Sequence, residues 1–318
     1  AQPFTDDAHT AYQRWKWFYK GRVDANGRMP DPALMYAEKE AHFPKNRQVS
    51  SPWACISQDT SEGGYSNMGR TVCIAFDPVD ANTFYTGSAH GGLWKKSDGG
   101  SNWTALTDQL PYNGVSHCVI DPASPSTIYV VLQYAYGWGT ASKGIYKSTD
   151  GGITWAATSL SFTPSFSYLQ YKYITKLLID PNNSATLYAS TNKGLYKTLD
   201  GGTNWSLLDT LYYSDLEFEP GTSNLYSAIY TYTGSSEVYR STNGALNWTQ
   251  VSNFNSSGNI YKLAVTPANP AMLAVSAAVG TSLYVSTNYG SNLAYVSSFP
   301  EDWVIQISPT NANVMYCG

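Results

Sequence analysis

The sequence predicts an all-β fold, a β-propeller of four-stranded blades behind a short helical N-terminal leader. Three observations predict it. An eight-residue turn, Ser148-Thr149-Asp150-Gly151-Gly152-Ile153-Thr154-Trp155, recurs from Lys96 to Trp103, from Thr198 to Trp205 and from Ser241 to Trp248; a fifth copy, Ser286-Thr287-Asn288-Tyr289-Gly290, reaches Leu293 where the others carry tryptophan. The centres stand roughly 43 to 52 residues apart, the period of a propeller blade. Each repeat also carries a proline after an acidic or small residue, at Asp77-Pro78, Asp121-Pro122, Asp180-Pro181, Glu219-Pro220, Thr266-Pro267 and Ser308-Pro309. Proline fixes φ and lacks the amide a ladder needs, so it stops a strand at a turn. Composition agrees: 14% aromatic, 13% charged, with 26 Tyr and 26 Gly, the profile of half-buried strands joined by many turns.

Residues 1–48 stand outside the repeat. Asp6 or Asp7 can cap a helix from Ala8 to Tyr19, and Asp31-Pro32 supplies a cap and first-turn proline for a second helix ending near Phe43. Trp15, Trp17, Phe18 and Tyr19 are too dense for a solvated helix and are expected to pack on the propeller. The propeller is assigned to residues 49–318. Trp53-Ala54-Cys55-Ile56 reads as a strand that completes the last blade and closes the ring, removing exposed edges. From Gly69 each repeat gives an inner strand, the proline turn, a second strand such as Asn82-Thr83-Phe84-Tyr85, a loop, a third strand entering the eight-residue turn, and a fourth strand. Five repeats are near complete, and a sixth begins at Trp303 and ends within a blade, as expected of a fragment of a longer protein.

Within the turn, glycines supply positive φ, and the Asp or Asn side chain accepts from amides just ahead of it. The motif resembles the Asp-box, or BNR repeat, of sialidases, xyloglucan-cleaving propellers and sortilin-type receptors. That resemblance makes Asp98, Trp103, Asp150, Trp155, Asp200, Trp205, Asn243, Trp248 and Asn288 structural. The run Gly69-Arg70-Thr71-Val72, Gly91-Gly92-Leu93-Trp94-Lys95-Lys96-Ser97-Asp98-Gly99-Gly100 and Leu106-Thr107-Asp108, with the Trp17-Phe18-Tyr19 leader, is similar to large secreted propellers of Bacteroidota. The resemblance implies type IX secretion and an extracellular or cell-surface location.

Charge excludes other classes. A net charge of −4 gives no electrostatic footprint for nucleic acid, and no apolar run is long enough to span a membrane. The four histidines, His9, His42, His90 and His117, lack ligand spacing, so neither a metal nor another cofactor is expected. Cys55, Cys73, Cys118 and Cys317 stand far apart. Counted from their proline turns, Cys73 and Cys118 are one strand position out of step; they are expected to point to opposite faces and to remain buried free thiols.

If proline turns and eight-residue turns share one face, the opposite face holds the irregular loops. There lie Tyr134, Tyr136 and Trp138 in one insertion, Tyr168 and Tyr171 in another, and Tyr212 and Tyr213, with Tyr230 and Tyr232 beyond. Aromatic loop residues can stack on sugar rings or anchor a protein partner, which makes them the candidate ligand-binding set. A sialidase is excluded by its arginine triad, since the repeats hold only Arg70 and Arg240. Xyloglucan-cleaving propellers place an Asp in the second-to-third strand loop, and the matching segment here is Ser88-Ala89-His90-Gly91-Gly92. Alanine at 89 can be neither acid nor base. The expectation from sequence is therefore a binding or adhesion module for polysaccharide or a surface or secretion-machinery protein, with no catalytic residue. The alternative is a glycoside hydrolase of the xyloglucan-cleaving kind whose catalytic pair lies partly outside this chain.

Overall fold

A computed structural model describes residues 71–97, 103–133, 142–162, 172–230, 236–251, 260–277, 282–298 and 304–317. By its contacts the chain falls into two compact units, Ala1–Ile56 and Ser57–Gly318, and every described residue belongs to the second. The expected leader over 1–48 and the strand at Trp53 lie outside the described residues.

Among the described residues every element is a strand, and the sheets are propeller blades. Blade 1 holds β1 (Thr71–Phe76), β2 (Phe84–Ser88), β3 (Gly92–Lys96) and β4 (Trp103–Ala105); blade 2 holds β5 (Val115–Ile120), β6 (Ile128–Gln133), β7 (Ser142–Ser148) and β8 (Ala156–Ser161). Blade 3 holds β9 (Ile174–Asp180), β10 (Asn183–Thr191), β11 (Gly194–Thr198) and β12 (Ser206–Asp209), and blade 4 β13 (Tyr212–Phe218), β14 (Leu225–Tyr230), β15 (Ser236–Ser241) and β16 (Thr249–Gln250). Blade 5 holds β17 (Ile260–Val265), β18 (Leu273–Ala277), β19 (Ser282–Ser286) and β20 (Ala294–Ser298); β21 (Ile305–Ile307) and β22 (Met315–Cys317) pair as a sixth sheet. Every blade is an antiparallel meander in chain order, and the first strand of each packs beside the first strand of the next. Strand direction alternates, so proline turns and eight-residue turns share one edge, the turn face. Second-to-third strand loops and blade-to-blade connections share the other, the loop face.

Counting back from each proline explains the core. Positions four and two before it are Cys118 and Ile120, Leu177 and Ile179, Leu216 and Phe218, Leu263 and Val265, and Ile305 and Ile307. Each pair packs into the seam with the preceding blade. In blade 1 the same positions are Ile74 and Phe76, which stand 58% and 68% exposed. Period-two alternation thus gives every inner strand one face toward its predecessor.

The eight-residue turns are closed by their own side chains. Ser148 Oγ donates to Asp150 Oδ1 at 2.7 Å, Thr154 N donates to the same oxygen at 2.9 Å, and Gly152 N donates to Ser148 Oγ at 2.8 Å. Gly151 and Gly152 adopt φ of 75° and 93°, a region costly for residues with a Cβ. The same bonds recur around Asp200, Asn243 and Asn288. Ala245 takes the glycine position at φ 65°. Trp155, Trp205, Trp248 and Leu293 pack into successive seams, so leucine fills the tryptophan's place in blade 5.

A second latch runs forward along the blades. Lys147 Nζ lies 5.2 Å from the Tyr129 ring and donates to Gly201 O of the next blade at 3.1 Å. Lys197 repeats this on Tyr188, at 5.1 Å, and Gly244 O, at 3.0 Å. Arg240 stands 6.0 Å from Tyr226 and reaches the ring of Tyr289 in blade 5 at 5.2 Å.

Cys73 and Cys118 are free thiols, as expected. They do point to opposite faces of their own blades, but that parity brings them together: the forward face of one blade meets the backward face of the next, and both line the same apolar cluster. Burial pushes the Cys73 thiol up to about 12 and Cys118 well above its usual value, leaving both protonated.

Candidate functional site

On the loop face, three tyrosines of blades 3 and 4 form a shelf. Tyr173 precedes β9, Tyr212 opens β13 and Tyr230 closes β14, where Tyr212 and Tyr230 are cross-strand partners. The Tyr212 and Tyr230 rings lie 5.6 Å apart, and Tyr173 meets Tyr212 edge-on at 6.4 Å. The Tyr173 and Tyr212 hydroxyls are hydrogen-bonded at 2.6 Å, and Asn192 Oδ1 accepts from Tyr173 N at 3.0 Å. All three side chains are half-buried, which leaves ring surface open while fixing orientation.

Below the shelf lies a charged cluster that motif reading missed. Every first strand from β1 to β17 carries a β-bulge just before the fifth residue preceding its proline. A bulge re-aims the next side chain. Those fifth residues are Cys73, His117, Lys176, Asp215 and Lys262. Asp215 is fully buried, with Lys262 Nζ at 3.6 Å and Lys176 Nζ at 3.8 Å from Oδ1, while Oδ2 accepts from Leu263 N at 2.9 Å. Lys176 also pairs with Glu217, two residues along from Asp215. The first strands lie side by side, so these positions share the inner wall of the propeller, and Lys262, Lys176 and Asp215 all act on the protonation of His117 on β5. The signal was in the spacing from proline, but four residue types stand at these five positions.

Electrostatics divide the two carboxyls. Burial alone would raise Asp215, and the two lysine ammoniums more than reverse this, holding it ionised. Burial raises Glu217, and Lys176 only partly offsets that, with Asp215 adding to the rise. His117 is pushed down to about 3, chiefly by burial and then by Lys262 and Lys176. Its Nδ1 lies 3.0 Å from Ser116 Oγ.

Of the predicted ligand-binding residues, Tyr134, Tyr136, Trp138, Tyr168 and Tyr171 lie outside the described residues. Tyr212 stands in the shelf. Tyr213 is fully buried in the seam between blades 3 and 4, donates its hydroxyl to Asp209 Oδ2 at 2.5 Å, and presents no surface to a ligand. Strand alternation sets this split, since the two are adjacent on β13 ahead of its bulge. Among the turn residues, Asp98 lies outside the described residues, and Trp103 is 43% exposed because no blade among the described residues covers that face of blade 1. Asp150 and Asp200 are spent within their own turns: hydrogen bonds from Thr154, and from Asn204, hold each carboxyl at about 2. Ala89 is buried, and His90 beside it is exposed. Among the described residues no group of His, Cys, Asp and Glu has metal-site geometry, and no helix is long and apolar enough to cross a membrane.

No protein-family model matches the chain. It is 28% identical over 145 residues to a xyloglucanase of Paenibacillus sp, a match covering 44% of this chain and 14% of that protein. It is 29% identical over 124 residues to xyloglucanase Xgh74A of Acetivibrio thermocellus, covering 37% and 15%, and 29% over 122 residues to a xyloglucanase of Hypocrea jecorina, covering 36% and 14%. Each match thus spans about a seventh of the relative's length. Among solved structures, an ancestral GH74 enzyme superposes with a TM-score of 0.61 at 19% identity, over 77% of this chain and 34% of that one. The GH74 enzyme of Niastella koreensis gives 0.57 at 20%, over 71% and 38%, and the GH74 xyloglucanase of Xanthomonas campestris 0.53 at 16%, over 78% and 50%. At such identities the superpositions establish the fold, a propeller of four-stranded blades.

These relatives are enzymes, and they overturn the expectation of a binding or adhesion module. That expectation leaned on the aromatic loops and on Ala89, where the catalytic Asp is missing. The likeness runs through more than a hundred residues, which a single substitution cannot outweigh.

Proposed function

We propose that this chain is a propeller portion of an extracellular glycoside hydrolase of the xyloglucan-cleaving kind. The observation that carries it is the match to xyloglucanases at 28% identity over 145 residues. The eight-residue turns are then Asp-boxes, structural clasps on the turn face, and substrate approaches the loop face. There Tyr212 and Tyr230 offer ring faces for the C–H surface of a glucose or xylose unit, while hydroxyls of Tyr173 and Tyr212 orient it. Hydrolysis needs one carboxylic acid and one carboxylate. Ala89 supplies neither, so the pair comes from other carboxylates of the whole protein. Export by type IX secretion belongs to the same proposal and is tested by a C-terminal secretion signal in the full-length protein.

The test is release of reducing sugar from xyloglucan by the purified full-length protein, with retention on the same polysaccharide measured in parallel. Release of xyloglucan oligosaccharides is expected. Tyr212→Ala is expected to raise KM about tenfold, the loss of one stacked ring at roughly 1.4 kcal/mol, with the fold unchanged. Unchanged KM would remove the shelf from the binding site, and no release from any β-glucan would overturn the assignment.

A further inference from the structure

We propose that the open apolar face of blade 1 is a further seam, and that its occupant is the forward face of another blade of the same polypeptide. Each described seam joins two recurring faces. The backward face is a trio: the residue two before the proline, its cross-strand partner on the second strand, and the large side chain that ends the eight-residue turn. In blade 2 these are Ile120, Ile128 and Trp155, all packed in the seam with blade 1, and blades 3 to 5 repeat the arrangement. Blade 1 carries the same trio as Phe76, Phe84 and Trp103, and no described residue from another blade covers it. The three rings form a ladder across the sheet, Phe76 to Phe84 at 5.9 Å and Phe84 to Trp103 edge-on at 5.4 Å. Phe76 is 68% exposed where its counterpart Ile120 is 8% exposed. A contiguous aromatic face left in water marks an interaction surface.

The forward faces define what fits it. In blades 1 to 4 a second-strand tyrosine pairs across the strands with a lysine or arginine, as Tyr129 does with Lys147. Each of these tyrosines is buried in the cluster that holds the trio of the following blade. The final sheet repeats the position, because Tyr316 follows Met315, the cross-strand partner of Ile307, and stands 66% exposed. The described blades thus run from an open backward face to an open forward one, the two halves of one kind of seam. This inference rests on the reading of the chain as part of a longer hydrolase: the superpositions span only 34%, 38% and 50% of the GH74 chains, which leaves length for more blades. A blade on the same polypeptide meets the face at high effective concentration, an advantage that a second copy lacks. One position departs from the repeat. Lys96 stands where blades 2 to 5 have serine or threonine, its ammonium 5.9 Å from the Phe84 ring and 5.6 Å from Trp103. Once enclosed, that cation needs a partner, so the incoming face is expected to bring a carboxylate to it.

The experiment is photo-crosslinking of the full-length protein carrying Phe76→benzoylphenylalanine, with the linked peptide identified by mass spectrometry. The expected product is an intramolecular link to a peptide beyond residue 318 that holds a second-strand tyrosine. A link to a second copy, a link to residues 1–56, or no link at all overturns the proposal. Should that variant not fold, hydroxyl-radical footprinting of the wild-type protein serves. Trp103 is expected to react as slowly as Trp155, and a rate about fivefold faster would show the face open to water and sink the idea. Sugar release from xyloglucan is read on the same preparation. Release with Trp103 open would defeat this inference alone, and Trp103 protected without release would defeat the hydrolase reading alone.

Discussion

The seam between blades 1 and 2 and the joint of blades 3 to 5 are built from the same repeat yet use opposite chemistry. In the first, the residue five before the proline is Cys73, packed with Cys118, Val115 and Leu132 in an apolar cluster. In the second, the same position holds Lys176, Asp215 and Lys262. An apolar seam tolerates small losses in proportion to volume. A buried ionic joint is nearly all-or-none, because removing one partner strands the others. The repeat therefore fixes where a side chain points and leaves its chemistry free.

The sharpest way to break the comparison is Asp215→Ala, which strands two lysines. It is expected to cost about 3 to 5 kcal/mol in urea unfolding, whereas Cys118→Ala should cost about 1 kcal/mol. Similar costs for the two would show that the axial ions do not join the blades. Next comes Gly87→Ala in the thiol seam, where an added Cβ would lie 2.4 Å from Cys73 Sγ and 2.6 Å from Val115 O. Overpacking against backbone is expected to cost about 2 kcal/mol and lower Tm, and a neutral result would mean that this seam is looser than its geometry. The smallest effect is at Trp155, whose Nε1 donates to Leu106 O at 2.9 Å across the same seam. Trp155→Phe is expected to lose about 1 kcal/mol, while Trp205→Phe, whose Nε1 is unpaired, should lose less.

The contrast also marks what could be read from the chain. The blades were legible because turns reuse the same residues: only glycine readily takes φ near 75° and 93° at 151 and 152, and proline must stop each inner strand. The axis was not legible, because Cys, His, Lys, Asp and Lys share no chemistry and only a count from proline aligns them. Tyr212 and Tyr213 look alike in sequence, and as consecutive residues of β13 they point to opposite faces, one to the shelf and the other into the core. These two are the members of the aromatic set that the fold places, since Tyr134, Tyr136, Trp138, Tyr168 and Tyr171 fall outside the described residues. Function was misjudged because aromatic loops and one missing carboxylate at Ala89 outweighed a likeness spread over 145 residues.

The forward latch has an evolutionary consequence. Lys147 and Lys197 grip main-chain carbonyls of the following turn, at Gly201 and Gly244. A carbonyl is offered by any sequence that makes the turn, so the grip is blind to what its neighbour becomes. Blades can drift apart in composition, as Asp gives way to Asn and tryptophan to leucine here, without renegotiating their joints. A protein assembled this way can be rewritten on its loop face while the opposite face keeps blades 2, 3 and 4 in line.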